Sequence, residues 1–356
     1  MSIRQISLNN FRNLKSTTID LHPKLNILYG SNASGKTSFL EALYILCQGQ
    51  TFKSSNLSQC ILHKASSFLL FSHFKNYKVG ISRTLNKTTI RINAESINRV
   101  STLAEKSPVR IINASSLNLI IGSPADKREF LDWCLFHVEH RYHQLWTDYN
   151  HALKQRNALL KQKKNLQQLD YWDNHLSLLN YEIYNLRLDF CESFKQCLFF
   201  NFNDVLNELE IDISYRPGWD QKQLFKDVLS LNRDKDIRYG FTRFGIHRDD
   251  LVITAQDFLV QQVLSRGQIK KLSVFMILSQ IIFISQFSNK KVILLIDDLE
   301  SELDVNTVES ILKKISEHTL QVFISLIKPS FELFSHNQDY KMFHVEHGII
   351  RPVKNS

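Results

Sequence analysis

The sequence predicts an α/β fold interrupted by a long helical insertion, and three observations lead to that prediction. An apolar strand at residues 25–29 runs into a glycine-containing turn followed by a helix. A second apolar strand, at residues 292–296, ends in two adjacent aspartates. The segment 125–216 between them contains neither Gly nor Pro, and its apolar residues recur at helical spacing. Strand-forming segments therefore lie on both sides of a helical stretch.

The turn after the first strand has the pattern Gly-x-x-x-x-Gly-Lys-Thr of a phosphate-binding loop. Glycine lets successive backbone N–H groups face a polyphosphate, and the N-terminus of the following helix adds positive potential. We expect Lys36 to contact the β- and γ-phosphates and Thr37 to hold Mg²⁺. An ordinary glycine turn before a helix is the alternative, which the flanking strand and helix disfavour. The predicted phosphate-binding residues are Gly30, Ser31, Asn32, Ala33, Ser34, Gly35, Lys36 and Thr37.

The aspartates after the second strand supply carboxylates for the same site. So apolar a strand is typical of a parallel sheet that is buried on both faces. We expect Asp297 to hold Mg²⁺, directly or through water, and Asp298 to be the catalytic base that activates water. A buried strand with a polar end is the alternative, and it explains one carboxylate more readily than two. Lys36 and Asp298 are the predicted catalytic residues.

A later helix, at residues 269–287, offers a second anion site at its N-terminus. Ser265 is a good N-cap, and the first-turn N–H groups together with the helix dipole favour an anion. By itself, Ser-x-Gly before a helix is ordinary capping. The apolar run 274–287 is too short and too polar to cross a bilayer, so we expect a buried helix. The residues of this second candidate site are Ser265, Arg266, Gly267 and Gln268.

The order of these segments predicts a discontinuous domain. We expect an ATPase head from residues 1–124 and 217–356, with a helical lobe, 125–216, inserted between the halves. The polar run 161–168 predicts the tip of a helical hairpin, although a continuous helix is also consistent with it. Strands are predicted at 3–8, 17–21, 78–82, 88–93, 109–113, 251–255, 292–296, 321–325 and 341–345.

Composition narrows the class of protein. The 356 residues are 43% hydrophobic and 22% charged, as in soluble globular proteins. The formal net charge of +9 favours a polyanionic partner, most simply DNA, although many cytosolic proteins are also basic. Five cysteines form no C-x-x-C pair, and the N-terminus has no apolar signal segment. We therefore expect a cytoplasmic protein in a reducing compartment, without a membrane partner.

The phosphate-binding loop, the Ser265 helix and the acidic strand together resemble the signature set of ATP-binding cassette (ABC) proteins. In those proteins the Leu-Ser-x-Gly-Gln helix binds the γ-phosphate held by a second subunit. Further segments are similar to the RecF family, ABC/SMC-type ATPases of bacterial DNA replication and repair. They are Asn10-Phe11-Arg12-Asn13, Gly122-Ser123-Pro124, the run from Lys127 to Trp133, Gly245 to Asp250, and Ser301-Glu302-Leu303-Asp304.

This resemblance implies an ABC/SMC-type P-loop ATPase head with a mixed sheet and a hairpin-like helical lobe. It also implies binding of ATP and Mg²⁺, to which Arg12 contributes, and ATP-dependent homodimerisation. The expected activity is a weak, DNA-stimulated ATPase that acts as a switch. Its expected partners are DNA, RecO and RecR, with which it would load RecA at gaps and take part in the SOS response.

Some positions depart from the family pattern. Ile246 replaces a proline, which is expected to loosen its turn. Lys127 replaces an arginine and so loses bidentate geometry. Residues 114–116 lack the family's acidic side chain, and Ile269 replaces a glutamine.

Two residues predict slow hydrolysis. Asp298 is one methylene shorter than the glutamate common in faster cassettes, so its carboxylate must reach further to the attacking water. Ser325 stands where many cassettes have a histidine, which predicts a neutral contact to the γ-phosphate.

A different class of function fits the same motifs. The nucleotide-binding subunit of a membrane transporter would carry the same loop, helix and acidic strand. The long helical segment, the basic balance and the paired aspartates favour a DNA-binding ATPase instead.

Overall fold

The computed structural model describes residues 2–54, 56–288, 290–298, 305–318, 320–328 and 340–353. The chain divides into two compact units. The first unit consists of Met1–Ser116 and Ile284–Ser356, and the second of Leu117–Phe283.

The first segment of the first unit, Met1–Ser116, contains strands β1 to β8 and helices α1 and α2. In order they are β1 (Ile3–Asn9), β2 (Thr17–Asp20), β3 (Leu25–Tyr29), α1 (Lys36–Gln48), β4 (Ser67–Phe74), β5 (Lys78–Thr84), β6 (Thr88–Ile92), β7 (Glu95–Ile97), α2 (Val100–Lys106) and β8 (Val109–Ile112).

The second unit is mostly helical. Its elements are α3 (Asn118–Ile121), α4 (Pro124–Val138), α5 (Tyr142–Gln162), α6 (Leu169–Glu208), β9 (Ile211–Arg216), α7 (Phe225–Leu231), α8 (Arg233–Tyr239), β10 (Asp250–Ala255), β11 (Phe258–Leu259), α9 (Val260–Val263) and α10 (Arg266–Phe287), whose last turn belongs to the first unit. The chain then completes the first unit with β12 (Ile293–Ile296), α11 (Val305–Ser316), β13 (Gln321–Leu326), β14 (Tyr340–Glu346) and β15 (Ile349–Val353).

Helix α1 shares one apolar core with the two sheets of the first unit. The antiparallel sheet has the strand order β2-β1-β4-β5-β6-β7. The other sheet has the order β15-β14-β3-β13-β12-β8 and is parallel except for β15. Phe39, Leu43 and Leu46 are among the many buried residues of α1. Because tertiary packing rather than propensity fixes such a helix, the loop that precedes it is held firmly. The predicted α/β fold with a mixed sheet is confirmed.

Helices α5 and α6 form the predicted helical hairpin. Helix α5 ends at Gln162, and Lys163 and Asn165 have left-handed backbone conformations, with φ of +54° and +55°. Helix α6 then begins at Leu169 and is kinked at Phe202. The alternative of a continuous helix through 161–168 is therefore wrong.

The division into units differs from the predicted boundaries. Residues 217–283 fall in the second unit with the helical lobe, whereas the sequence placed them in the head. Strand β9, which directly follows α6, pairs with β10 from Asp250↔Arg216 to Ala255↔Ile211. This pairing ties the chain after residue 217 to the helices that precede it.

Every predicted strand is confirmed within two residues at each end, but β4, β7, β9, β11 and β15 were not predicted. In β4, Leu69 and Phe71 lie on the outer face and obscure the alternation of buried Phe68 and Leu70. In β9, buried and exposed residues alternate over only a few positions, directly after a long segment with helical periodicity, so the helical pattern masks the strand.

Helix α10 is mostly buried, as predicted from its sequence. In the described part of the chain, α10 is the one helix whose length and apolar composition would be sufficient to cross a membrane. However, 78% of its apolar window is buried by the rest of the chain. Burial of this extent is the pattern of a core helix.

Candidate nucleotide-binding site

Two glycines shape the turn between β3 and α1. Gly30 has φ of +155°, and a Cβ there would lie 2.1 Å from the carbonyl oxygen of Val345. Gly35 has φ of +123°, and a Cβ there would lie 2.6 Å from Leu14 Cδ2. Both positions therefore need glycine. The predicted loop 30–37 is a tight turn that ends at the N-terminus of α1, as phosphate binding requires.

Lys36 is the first residue of α1 and is only 4% exposed. Its Nζ donates hydrogen bonds to the carbonyl oxygens of Gly30, at 2.8 Å, and Ser31, at 3.1 Å. An ammonium group has three donors, so one remains for a phosphate oxygen. The loop backbone thus holds the cation beside the helix N-terminus.

Thr37 and Asp297 meet although 260 positions separate them in the chain. Thr37 Oγ1 donates to Asp297 Oδ1 at 3.0 Å, and Ser325 Oγ donates to the same oxygen at 2.8 Å. Burial raises the pKa of Asp297, while these two hydroxyl hydrogen bonds oppose the rise. A hydroxyl and a carboxylate at this distance are suitable oxygen ligands for Mg²⁺.

Asp298 lies beside this pair in a left-handed conformation, with φ of +53°. Its backbone N–H donates to Ser325 Oγ at 2.8 Å. Ser325 therefore positions both aspartates, a role that the sequence did not predict for it. The predicted segment from Ser301 to Asp304 lies outside the described residues.

A cavity of about 310 Å³ is formed by the loop, the start of α1 and Asp298. Three of its residues were not predicted from the sequence, namely Asn13, Ser38 and Lys53. Ser38 Oγ donates to Asn13 Oδ1 at 2.9 Å, and Asn13 Nδ2 donates to the Ala33 carbonyl oxygen at 3.2 Å. Asn13 belongs to the Asn-Phe-Arg-Asn segment and could have been found, whereas Lys53 belongs to no motif. The cavity is lined by Asn13, Asn32, Ala33, Gly35, Lys36, Thr37, Ser38, Lys53 and Asp298.

Arg12, a predicted nucleotide-binding residue, pairs with a fully buried carboxylate. Its Nε and Nη2 donate to the two oxygens of Glu41 at 2.9 and 2.7 Å, and its Nη1 donates to the Gln59 carbonyl oxygen at 2.9 Å. These hydrogen bonds to Glu41 raise the pKa of Arg12. Arg12 is not among the residues that line the cavity, so its contact with nucleotide stays a prediction.

The predicted second anion site lies in the second unit. The Ser265 N–H donates to Gln268 Oε1 at 2.8 Å, and the Gln268 N–H donates to Ser265 Oγ at 3.3 Å, which is a capping box. Among the described residues, no atom beyond the neighbouring backbone of α10 would lie within 4 Å of a Cβ on Gly267. Packing in the described part of the chain therefore does not require glycine there. Instead, its absent side chain leaves the first turn of α10 open to another molecule.

The turn with Ile246 in place of proline is well held. The Ile246 N–H, which proline would lack, donates to Asn180 Oδ1 at 2.9 Å. The Ile246 carbonyl accepts from Arg187 Nη1 at 2.9 Å. These two hydrogen bonds hold the turn in place, so the expected loosening of the turn is not supported. Lys127, the other departure in this region, lies 3.5 Å from Asp250 Oδ1 as a simple point charge.

Together, the parallel sheet, the glycine turn and the Thr37–Asp297 pair define a P-loop ATPase head of the ABC/SMC class. The family model described as "RecF/RecN/SMC N terminal domain" matches residues 2–351. The chain belongs to this family and, within it, to the RecF proteins.

The relatives match along their whole length. The DNA replication and repair protein RecF of Pseudoalteromonas translucida is 37% identical, over 98% of this chain and 99% of the relative. RecF of Shewanella halifaxensis is 34% identical, over 99% and 98%. A solved recombination mediator protein RecF with ATP, from the RecFOR pathway, has a TM-score of 0.86 at 25% identity, over 99% of each chain. A solved Smc head bound to the C-winged helix domain of ScpA has a TM-score of 0.62 at 14% identity, over 100% and 98%, and shows the fold alone.

Proposed function

We propose that this chain is an ATP-dependent DNA-binding switch of bacterial DNA replication and recombinational repair. The observation that carries this proposal is the contact of Thr37 with Asp297 beside Lys36, on a loop that only glycine can form. Its RecF relatives, matched over their full length, support the repair function over that of a transporter subunit.

The residues of the first unit have distinct roles in this proposal. Lys36 and the N-terminus of α1 bind the β- and γ-phosphates of ATP. Thr37 and Asp297 hold Mg²⁺, which would neutralise charge on the phosphate oxygens. Asp298 is the base that accepts a proton from the attacking water. Because its backbone N–H is tied to Ser325 and its side chain is short, we expect slow hydrolysis.

The open first turn of α10 supports a composite site between two copies of the chain. No residue that the structure describes excludes a side chain at Gly267, yet glycine costs a helix up to about 1 kcal/mol relative to alanine. A close approach by phosphate of a partner subunit would explain why glycine is present. In a two-fold dimer, Ser265 and Gly267 of each subunit would then complete the site of the other.

The proposed biological role follows from the family and the charge. A net charge of +9 suits DNA binding, and the RecFOR pathway of the solved relative supports action with RecO and RecR. In this role the ATP-bound dimer would help load RecA at gapped DNA and contribute to the SOS response in the cytoplasm.

Light scattering with ATP, ADP and no nucleotide tests the composite site. We expect Ser265→Arg to bind ATP as a monomer without dimerising, because the new side chain fills the open turn. Asp298→Asn should dimerise with ATP and stay closed, because it lacks the base. Lys36→Met, the matched control in the other unit, should lose ATP binding itself. Dimerisation of Ser265→Arg at the wild-type level would refute the composite site.

A further inference from the structure

Two aromatic side chains of the second unit are exposed on either side of Gly240, just after α8. Tyr239 is 60% exposed and Phe241 is 37% exposed. Their ring centroids are 6.1 Å apart, with an angle of 47° between the ring planes. Two exposed aromatic side chains that lie side by side are a candidate surface for binding a ligand.

Cationic groups accompany both rings. The guanidinium of Arg243 lies 5.6 Å from the centroid of Tyr239, and that of Arg248 lies 5.5 Å from the centroid of Phe241. Lys161, at the tip of the α5–α6 hairpin, packs against the glycine between them, since its Cγ would be 3.2 Å from a Cβ on Gly240. We call these residues the Tyr239 surface: Tyr239, Phe241, Arg243, Arg248 and Lys161.

Acidic groups near this surface do not cancel its charge. Asp236 is completely buried and is bonded to both Arg156 and Arg243. The exposed Asp170 of α6 is paired with Arg233 of α8. In the segment 233–248, the exposed charged residues are one acid and three bases, namely Asp234, Lys235, Arg238 and Arg248. The exposed face is therefore positive and complements an anion.

Buried hydrogen bonds fix the backbone that carries the rings. Arg156 Nη1 donates to Asp236 Oδ2 at 2.9 Å and to Thr242 Oγ1 at 2.8 Å. The Thr242 N–H donates to Asn157 Oδ1 at 2.8 Å, and the Thr242 carbonyl lies 3.0 Å from His247 Nε2. The segment is thus held both before and after Phe241. A ligand that stacks on these rings would lose little free energy in ordering them.

We infer that the Tyr239 surface binds single-stranded DNA, with unpaired bases stacked on Tyr239 and Phe241. Lys161 and Arg248 would neutralise the adjacent phosphates. Aromatic platforms select unpaired bases because the bases of a duplex are already stacked on each other. The inference rests on the proposed DNA-binding function and adds the surface and the residues that would contact unpaired bases.

Charge argues against other occupants. A second copy of the same surface would place arginines and lysines opposite one another, which is unfavourable. An apolar protein partner would bury Arg248 and Lys161 without neutralising them. A nucleic-acid strand alone offers flat aromatic bases and regularly spaced negative charges.

Fluorescence anisotropy of the full chain with ATP tests the inference, using a labelled oligothymidine and a labelled duplex at the same salt concentration. The double variant Tyr239→Leu, Phe241→Leu keeps apolar side chains but removes both rings. We expect it to bind oligothymidine at least about tenfold more weakly, since loss of one stacked base costs about that much or more. Its duplex affinity should change less than about twofold.

Two control variants separate stacking from general surface effects. Tyr239→Phe, Phe241→Tyr keeps both rings and should bind like the wild type. Leu231→Ala removes another exposed apolar side chain, 75% exposed on α7, and should also have no effect. A measurement without variants uses an oligonucleotide with 2-aminopurine, whose fluorescence should fall when the wild type stacks it.

The outcomes are distinct. Equal losses for oligothymidine and duplex, or no loss for either, would overturn stacking on these rings. Lost ATP-dependent dimerisation with unchanged DNA affinity would show a protein-binding surface and would also overturn it. If the wild type binds ATP but neither DNA, the proposed DNA function itself fails. Normal duplex binding without quenching of 2-aminopurine would refute only the present inference.

Discussion

At Gly30 an added methyl group would lie 2.1 Å from the Val345 carbonyl oxygen, and the backbone φ is positive. We predict that Gly30→Ala lowers the free energy of unfolding by about 1–3 kcal/mol, because backbone must shift to accommodate it. ATP affinity should fall as well, since the turn that faces the phosphates is displaced. Urea denaturation followed by circular dichroism measures the stability.

Gly267→Ala is the matched control, because in the described part of the chain no atom beyond the adjacent backbone of α10 lies within 4 Å of the new Cβ. Its free energy of unfolding should change by no more than about 1 kcal/mol. If both variants have the same stability, the close approach of Val345 to the loop is not a constraint.

His247 predicts a pH dependence of stability. Burial lowers its pKa to about 4 from the usual 6.5. Between these values the unfolded chain binds more protons than the folded one, so the free energy of unfolding falls as the pH falls. The full contribution, about 3 kcal/mol, is present above pH 6.5 and is lost on acidification through about pH 4. Urea midpoints at several pH values measure it.

The variant His247→Gln separates the effect of His247 on stability from the effects of other buried titratable groups. Burial raises the pKa of Asp249, whose contribution to stability has the opposite sign because the folded state retains its proton longer. The difference between wild type and variant should therefore shrink steadily from pH 6.5 downwards. A difference that is constant with pH would contradict the prediction.

The helical hairpin depends on a buried arginine. Arg156 donates to Asp173 at 2.6 Å and to Asp236 at 2.9 Å, and thereby joins α5 to α6 and α8. Breaking such a buried pair costs about 3–5 kcal/mol. We expect Arg156→Ala to fall at the lower end, because Arg233 still contacts Asp173 and Arg243 still contacts Asp236. Hydrogen exchange of the α5 and α6 amides would report the loss as faster local opening.

Lys154→Ala, an exposed position on the same helix, serves as the control and should leave exchange in α5 unchanged. Comparable acceleration in both variants would mean that helix propensity, rather than the buried pair, limits opening.

At the scale of a single helix or strand, the sequence predicted the features that depend only on residues close together in the chain. The phosphate-binding loop and the Ser265 cap are encoded within a few residues, and both form as expected. Asn13 and Lys53 reach the cavity only because separate loops pack beside α1, and sequence periodicity carries no information about such placement. The role of Ser325 in positioning the two aspartates was not predicted for the same reason. Its contacts to Asp297 and Asp298 depend on the pairing of β12 with β13.

For the whole molecule, the net charge of +9 predicts a salt-dependent affinity for DNA. Binding that releases counterions from phosphates makes the logarithm of the association constant fall linearly with the logarithm of salt concentration. Lys161→Gln should reduce the magnitude of that slope by about 0.7 for single-stranded DNA, if one phosphate contact is lost. Anisotropy titrations between low and physiological ionic strength give the slope, and a flat wild-type response would contradict the prediction.

Strand β3, which leads into the phosphate-binding loop, lies between β13 and β14, and Val345 of β14 packs against Gly30. A ribosome therefore makes the loop early and the strands that support it much later. At about 5–20 residues per second, the delay is on the order of tens of seconds. During that time a nascent chain contains the complete Gly-x-x-x-x-Gly-Lys-Thr sequence without the framework that shapes it. Competence to bind ATP would then be acquired only near the end of synthesis, so prematurely terminated chains would remain inactive as switches.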